Sequence, residues 1–242
     1  MLAGLLLAAV LPSASYARAP KPHIIAAADW GSQPGDRSLA KPQDHWEWIT
    51  LHHASVRWSA DKDALRFVCN LQEWSESPPD PPRKAVWADV PYHFMVAPDG
   101  RIFQGRDIHL QPATNTGYDV SGNITIELMG DFEAQRPRPA QLRAAAALTA
   151  WLAQKYGIAL DHVRGHKDAP GDVSTDCPGR DFYRYLRPEP GYPDGRFRAW
   201  VADFEAGLAP DVEPGPALPE GPTELSPAGL PAAQGLARCP AR

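Results

Sequence analysis

The clearest periodic pattern in the chain predicts one long helix over residues 139–156. Pro139 stands at the start, where a missing N–H costs nothing, and Gly157 follows the last periodic position. The apolar positions recur at helical spacing and comprise Leu142, Ala145, Leu148, Leu152 and Tyr156. One side of this helix is therefore predicted to pack against a core.

Three further segments carry weaker helical patterns. Residues 59–74 place apolar side chains at helical spacing, and Ser59 or Asp61 is a suitable N-cap. Residues 181–186 fit a short final helix of the main fold, and residues 196–208 carry the last apolar stripe of the chain. We therefore expect helices of different lengths around a separate set of strands.

Five segments have the residue types and lengths of β-strands. They are rich in β-branched and aromatic residues, and turn signals bound them. They comprise residues 46–52, 92–96, 101–103, 123–129 and 160–164. Pro98, Asp99 and Gly100 predict a hairpin turn between the second and third. The predicted fold class is α/β (α+β), with a central mixed β-sheet of about five strands flanked by helices.

Two of these strands are predicted to end at chemically useful side chains. The first is apolar on both faces, as in a buried central strand, and ends at His52. The segment 160–164 leads directly to His166. The segment 123–129 alternates, so that Glu127 points away from the face that carries its isoleucines. Side chains at strand ends are rigidly placed yet open to solvent.

The two ends of the chain differ from its middle. Residues 1–19 contain a short apolar run followed by an Ala-Arg-Ala pattern, which predicts a signal peptide and a secreted or periplasmic protein, although no basic residue precedes the run. Nothing else is apolar and long enough for a transmembrane segment. Residues 20–187 are the predicted domain, and 188–242 a proline-rich C-terminal extension with one short helix and a disordered end. We expect residues 209–242 to be dispensable for folding.

Composition and charge narrow the classes of protein. The chain has 242 residues, of which 43% are hydrophobic and 22% charged. The formal net charge of -5 gives no support for a nucleic-acid partner. Of the three cysteines, Cys69 lies in a predicted helix and Cys239 in the tail, which does not favour a bridge between them.

The third cysteine, Cys177, lies eleven residues after His166 in a stretch with little that could fill a core. With a histidine of the His52–His53 pair, these residues offer two imidazoles and a thiolate. Three such ligands and an open fourth position are typical of catalytic zinc sites. A structural zinc site would need a fourth protein ligand, and neither remaining cysteine lies in a suitable loop.

These residues belong to a series of motifs whose order and spacing are specific. The series is Ala-Asp-Trp-Gly at 28–31, Leu-His-His at 51–53, Trp-Ala-Asp-Val-Pro-Tyr-His-Phe at 87–94, Asp-Gly at 99–100, Gly-Arg-Asp at 105–107, Asn-Ile-Thr-Ile-Glu at 123–127, Gly-His at 165–166 and Thr-Asp-Cys-Pro-Gly at 175–179. Over residues 28–185 the sequence resembles the N-acetylmuramoyl-L-alanine amidase type 2 family, which includes the peptidoglycan recognition proteins and the phage-lysozyme-type zinc amidases.

The resemblance implies a site as well as a fold. It implies that Zn²⁺ is bound by His52 rather than His53, together with His166 and Cys177. It places Tyr92 beside the zinc-bound water, gives Thr175 a role at the developing oxyanion, and makes Glu127 a catalytic base. Thr114 stands where a histidine is common, and Pro91 where glycine is usual, so the substrate contacts depart from the family pattern.

The implied activity is cleavage of the amide bond between N-acetylmuramic acid and L-alanine in peptidoglycan, with peptidoglycan or muropeptides as the partner and a monomeric protein. The chemistry agrees, because zinc polarises a carbonyl and activates water at neutral pH, and a carboxylate can move the proton. The alternative is a non-catalytic peptidoglycan-binding module. Family members that only bind typically lack the cysteine, so Cys177 favours the enzyme. His93 and His162 are interpreted as structural.

Overall fold

A six-stranded mixed sheet forms the centre of the protein. The structure is a computed structural model that describes residues 18–81, 83–171, 174–231, 234–235 and 237–240. The strands are β1 (Ile24–Ile25), β2 (Trp48–His53), β3 (Phe94–Val96), β4 (Ile102–Gln104), β5 (Asn123–Leu128) and β6 (Val163–Gly165), and they lie in the order β1-β4-β3-β5-β2-β6. All neighbours are parallel except the β3–β4 hairpin. The mixed sheet predicted from sequence is confirmed.

The additional strand is β1, which pairs with β4 at the edge of the sheet. Each of the five predicted segments overlaps one of the other strands, and β2, β4 and β6 end one residue beyond the predicted bounds. With only two residues, β1 is too short to show an alternating pattern in its sequence. It is recognised as a strand only by its hydrogen bonding to β4.

The helices are α1 (Ala27–Trp30), α2 (Ala64–Glu76), α3 (Pro139–Tyr156), α4 (Arg180–Tyr183) and α5 (Arg196–Glu205). The bounds of α3 are those predicted, and Gly157 ends it in the left-handed conformation at φ 69°. The start of α2 differs from the prediction. Its N-cap is Asp63, whose carboxylate accepts the N–H of Arg66 at 2.7 Å, because the residues before it form a turn rather than a helix.

The two faces of the sheet pack differently. On one face, Ile49 of β2 and Ile126 of β5 join a core that includes Leu148 of α3 and Trp200 of α5. On the other face, a second cluster joins Met95 of β3 to α2. The alternation predicted for β5 is confirmed, since Glu127 is cross-strand partner to Met95 on this second face.

The parallel strands bring the candidate residues together at one edge. In the β2–β5 pair, His52 lies opposite Glu127, and in the β2–β6 pair, Leu51 lies opposite Gly165. His166 follows Gly165 directly, so it reaches the same level as His52. Ligands of open parallel sheets bind outside the carboxyl ends of the strands. The topology therefore places a candidate site there.

The C-terminal extension lies against the domain. Cys69 of α2 and Cys239 form a disulfide with Cα atoms 5.7 Å apart, contrary to the sequence-based expectation. Val212 and Ser226 are fully buried, and the N–H of Leu230 donates to the carbonyl of Lys62 at 2.8 Å. These anchors are a covalent bond, single side chains and backbone groups, none of which produces a periodic stripe. The described part of 209–242 therefore differs from the free, disordered segment that the sequence predicted.

The N-terminal prediction lies almost entirely outside the described residues. Of the proposed signal peptide, only Arg18 and Ala19 are described. Within the described part of the chain, every helix is too short or too polar to cross a bilayer. The domain limits at 20 and 187 stay a prediction.

Candidate metal centre and groove

His52, His166 and Cys177 form a compact, buried cluster. One potential ligand atom from each lies within 4.8 Å of the other two. His52 is near the end of β2, His166 begins a single 3-10 turn after β6, and Cys177 lies on the loop before α4. Residues separated by 125 positions in the chain are thus placed in one shell by the strand order.

The spacing within the cluster suits a zinc ion. The Cys177 Sγ lies 3.6 Å from Nδ1 of His52. Two ligands at zinc–nitrogen and zinc–sulfur distances of about 2.0 and 2.3 Å around a tetrahedral ion would be roughly 3.5 Å apart. Nε2 of His166 already bonds to the Thr116 hydroxyl at 2.7 Å, which leaves its Nδ1 for a metal. Burial lowers the pKa of His166 to about 4, so the imidazole is neutral and can ligate.

Cys177 has a specific environment. The backbone N–H of His53 points at its sulfur, with a nitrogen–sulfur distance of 3.4 Å. Burial raises the pKa of the thiol well above its usual range, and the His53 contact opposes this only in part. A cation is therefore needed to hold the thiolate, since burying a bare charge is costly.

The glycine of the Thr-Asp-Cys-Pro-Gly motif has a steric role. Gly179 has φ 82°, and a Cβ there would lie 2.7 Å from the backbone carbon of Phe132 and 2.9 Å from the His53 ring. Only glycine allows the chain to pass this close. The motif thus fixes the approach of the Cys177 loop to the end of β2.

His53 does not belong to the metal cluster. Its Nδ1 accepts the N–H of Phe132 at 3.1 Å, so its Nε2 carries the proton and donates to the Ser55 hydroxyl at 2.7 Å. Asp131 lies nearby at 3.9 Å, which gives the group a superficial likeness to a serine-hydrolase triad. The tautomer excludes His53 as a base for Ser55. The choice of His52 over His53 as the candidate ligand agrees with this geometry.

Glu127 is a buried carboxyl beside this cluster. It is 1% exposed, and Oε2 has no hydrogen-bond partner among the described residues. Burial raises its pKa to about 8. A carboxyl that titrates near neutrality can both accept and return a proton. Its chemistry therefore matches the predicted base, a role that stays a prediction.

Tyr92 and Thr175 border the same space. The rings of Tyr92 and His52 have centroids 5.1 Å apart, and burial raises the pKa of the phenol, which stays a proton donor. Thr175 accepts the N–H of Cys177 at 3.2 Å through its hydroxyl oxygen, which leaves the hydroxyl proton free to donate elsewhere. Both residues can offer a hydrogen bond to an oxygen at the centre.

The cluster opens into a groove of about 830 Å³. Glu127, Tyr92, Thr175 and the three candidate ligands all line it. One side is α2, from Asp63 before its first turn to Trp74 in its last. Leu230 of the C-terminal extension also lines it. A site of this volume accommodates a ligand considerably larger than a single amino acid.

The structure adds residues that the sequence reasoning missed. Thr116 bonds to His166 and to Thr114 at 2.8 Å, and the ring of Tyr118 lies 5.0 Å from that of His166. Such contacts orient a ligating histidine. Both threonines lie in a polar run before the buried β5 strand, and nothing in that run distinguishes Thr116 from the other hydroxyl residues.

His93 has a structural arrangement. Its Nδ1 accepts the N–H of Thr125 at 3.0 Å, and its Nε2 lies 2.9 Å from the carbonyl of Leu110, to which it donates. Burial lowers the pKa of His93 to about 4. Its two ring nitrogens are thus occupied within the sheet and the adjoining loop.

We expect this histidine to weaken the fold in acid. Between pH 6.5 and 4, His93 is protonated in the unfolded chain but neutral in the native protein. The free energy of unfolding therefore carries the full contribution of His93 above pH 6.5 and loses about 3 kcal/mol as the pH falls toward 4. Urea unfolding at pH 7 and pH 4.5 should show a smaller acid loss in His93→Gln than in the parent, because the other histidines are common to both. Equal losses would contradict the assignment.

The fold and the cluster define a class: a mixed-sheet α/β protein with two histidines and one cysteine at the carboxyl edge of its strands. The chain belongs to the N-acetylmuramoyl-L-alanine amidase family, because the family model of that description matches residues 42–180. The resemblance noted from the sequence is confirmed.

Three animal proteins are among the curated relatives that this chain is similar to. Peptidoglycan-recognition protein SC2 of Drosophila melanogaster is 26% identical over 68% of this chain and 84% of its own length. Peptidoglycan recognition protein 1 of Bos taurus is 30% identical over 70% and 85%. The N-acetylmuramoyl-L-alanine amidase of Homo sapiens is 26% identical over 67% of this chain but 27% of its own length.

Solved structures share the fold. Drosophila peptidoglycan recognition protein SD aligns with a TM-score of 0.60 at 21% identity, covering 73% of this chain and 99% of its own. A mutant form of Drosophila PGRP-LB, in complex with tracheal cytotoxin, aligns with a TM-score of 0.57 at 21% identity over 70% and 95%.

Proposed function

We propose that the protein is a zinc-dependent hydrolase that cleaves the amide bond between N-acetylmuramic acid and L-alanine in bacterial peptidoglycan. The observation that supports this most is the presence of Cys177 within 4.8 Å of His52 and His166, beside the buried Glu127. The family membership and a human relative named as this amidase support the same reaction.

His52, His166 and Cys177 would hold the zinc. Neutral imidazoles and one thiolate around a dication leave a net positive centre, and three protein ligands leave a fourth position for water or substrate. Zinc bound this way supplies a Lewis acid for the amide carbonyl and lowers the pKa of water to about 7. A structural zinc site would require a fourth protein ligand. Among the described residues no further histidine, cysteine or carboxylate joins the cluster.

The remaining groups divide the work of proton transfer and charge stabilisation. Glu127 takes a proton from the attacking water and returns it to the leaving amine, which its pKa near neutrality permits. Tyr92 and Thr175 donate hydrogen bonds to the oxygen that gains negative charge. Thr116 orients His166, and the His53 N–H orients the sulfur.

The proposed partner is peptidoglycan or a soluble muropeptide. The structural relative in complex with tracheal cytotoxin supports this class of ligand. We further propose that the protein works as a monomer, in a secreted or periplasmic location where this substrate occurs.

A non-catalytic peptidoglycan-binding module is the second candidate, because several relatives are named only as recognition proteins. Metal analysis combined with mass spectrometry of digested peptidoglycan separates the two. Bound zinc and free stem peptides beginning with L-alanine are the expected result. Tight pull-down that leaves the muropeptides intact would support the binding module instead.

Glu127→Gln should keep its zinc and lose most turnover. The change removes the proton acceptor without touching a ligand, and general-base catalysis contributes about 10²–10⁴-fold. Glu205→Gln, at the end of α5 and outside the groove lining, is the matched control and should keep its rate. A near-normal rate for Glu127→Gln would take the base role away from this residue.

A further inference from the structure

One residue of the groove lining comes from the C-terminal extension. Among the described residues that line the groove, all except Leu230 lie between positions 52 and 177, inside the stretch 42–180 that the family model matches. Leu230 is half-buried, and its N–H donates to the carbonyl of Lys62, just before the N-cap of α2. The extension, and not the matched family domain, therefore supplies this part of the groove.

The backbone beside Leu230 lies unusually close to the domain. Gly229 has φ 83°, and a Cβ there would lie 2.6 Å from the carbonyl oxygen of Lys62 and 2.9 Å from Nε1 of Trp58. Trp58 is buried, and its ring meets that of Phe67 on α2 with centroids 5.5 Å apart. Because any side chain at position 229 would collide with these atoms, glycine allows the extension to lie directly against the start of α2.

Contacts on both sides of Leu230 fix the extension in this place. Before it, the N–H of the buried Ser226 donates to the carbonyl of Arg136 at 2.8 Å, and the Arg138 guanidinium donates to the carbonyl of Ser226 at 3.2 Å. After it, Cys239 is joined to Cys69 of α2 by the disulfide. Leu230 is therefore held against the groove by hydrogen bonds on one side and a covalent bond on the other.

The length of the groove limits what fits inside it. Along α2 the lining runs from Asp63 to Trp74, which is roughly 17 Å at the rise of a helix. A substrate longer than this must continue out of the groove. At the start of α2 the side chain of Leu230 stands in the lining, so a chain that continues in that direction meets it.

We propose that Leu230 forms an end wall of the groove, and that this wall makes soluble muropeptides of a single repeat better substrates than the interior of a long glycan strand. This rests on the proposed function, in which the scissile amide joins a muramyl residue to a peptide. It selects one class of substrate from the two that the proposed function allows, polymeric peptidoglycan and soluble fragments.

The number of chains that leave the scissile amide supports this selection. In the interior of a strand, the muramyl residue carries three arms, because the glycan continues in two directions and the stem peptide in a third. A muropeptide of one disaccharide lacks one glycan arm. Each arm needs a way out, and a wall at one end removes one of them. The aliphatic side chain of Leu230 also offers no hydrogen bond to a hydroxylated or charged chain pressed against it, which makes the burial of such a chain there costly.

The test compares the cleavage rate per amide bond of two soluble substrates, a muropeptide of one disaccharide with one stem peptide and long uncrosslinked strands of the same repeat. The parent should cleave the muropeptide about tenfold faster. The ratio of strand rate to muropeptide rate should rise about threefold in Leu230→Ala and about tenfold when residues 229–242 are removed. Leu208→Ala makes the same change at an exposed position after α5, outside the groove lining, and should leave the ratio unchanged.

A second control separates the wall from the disulfide. Removing residues 229–242 also removes Cys239, whereas Cys69→Ser together with Cys239→Ser loses the same disulfide and keeps Leu230 with its hydrogen bond to Lys62. The rate ratio should therefore rise less in the double variant than in the truncated protein. A rise of the same size in both would assign the effect to the disulfide and overturn the inference.

The remaining outcomes also decide. Equal or faster cleavage of the strands by the parent would overturn the inference, as would a rate ratio that neither Leu230→Ala nor the truncation changes. If the truncated protein does not fold, the ratio in Leu230→Ala decides alone, because that variant keeps the backbone contacts and the disulfide. A parent that cleaves neither substrate would refute the proposed function, and the inference with it.

Discussion

Cys177→Ser is expected to lower the zinc content and to reduce amide cleavage toward background while the protein still folds and binds muropeptides. A serine hydroxyl stays protonated and ligates zinc poorly, and two histidines hold the ion less firmly than three ligands. The groove does not depend on the metal, since α2 and the strand ends have their own packing and pairing, and in the loop after α2 the buried Arg83 donates to the carbonyl of Ala85 at 2.9 Å. A domain of this size can also bury a core without a metal.

Three measurements check this. Zinc content should fall in parallel with the release of stem peptides, the far-ultraviolet circular dichroism should be unchanged, and peptidoglycan pull-down should persist. The parent protein treated with a chelator is the control and should behave like the variant. Hydrolysis at the parent rate would reject the zinc mechanism. An unfolded variant would show that the metal is structural.

Removing residues 209–242 should lower the melting temperature by roughly 10 °C or more. The Cys69–Cys239 disulfide spans 170 residues. Closing a loop of that length restricts the unfolded chain by about 5 kcal/mol in the chain-entropy account. In a protein of this size each kcal/mol corresponds to roughly 2–4 °C. The truncation also removes the buried Val212 and the backbone pairing of Arg136 with Glu224 and Ser226.

Cys239→Ser separates these contributions. It breaks the disulfide and leaves the packing of Val212 in place, so its loss of melting temperature should be smaller than that of the truncation. Cys69→Ser together with Cys239→Ser is the matched control for an unpaired thiol and should equal the single variant. A truncated protein that melts within about 2 °C of the parent, less than a single kcal/mol would produce, would restore the expectation drawn from the sequence, that this segment is dispensable.

The helices and strands whose apolar residues recur at a regular spacing could be predicted from the sequence. The helix α3 has a stripe of apolar residues with a proline at one end and a glycine at the other, and β5 alternates strictly. Each pattern arises because one face of the helix or strand is buried in the core between the sheet and the helices. The C-terminal extension is stabilised without such a face, since its contacts are made by Cys239, Val212 and backbone N–H groups at separated points. Contacts at isolated positions leave no periodic pattern in the sequence, so they could not be predicted from it.

Part of the candidate site could likewise be predicted from the sequence, and part could not. His52, His166, Cys177 and Glu127 were identifiable because zinc chemistry requires particular side chains and the motifs supply their order. The groups that support them were harder to identify. The contact from His53 to Cys177 uses a backbone N–H, which every residue except proline possesses, and the hydroxyl of Thr116 is one of many along the chain. Their roles depend on the turn geometry that places them.

The disulfide makes most of the protein a closed covalent ring. From Cys69 to Cys239 the ring contains Tyr92, Glu127, His166 and Cys177, and the exposed proline-rich segment at 78–81 also belongs to it. A protease that cuts once inside the ring opens it and releases no fragment. His52 precedes the ring, so a single cut separates it covalently from His166 and Cys177, the other two candidate ligands, only if the cut falls between His52 and Cys69. The stretch 53–68, which includes the first residues of α2, is thus the one connection that joins His52 covalently to His166 and Cys177.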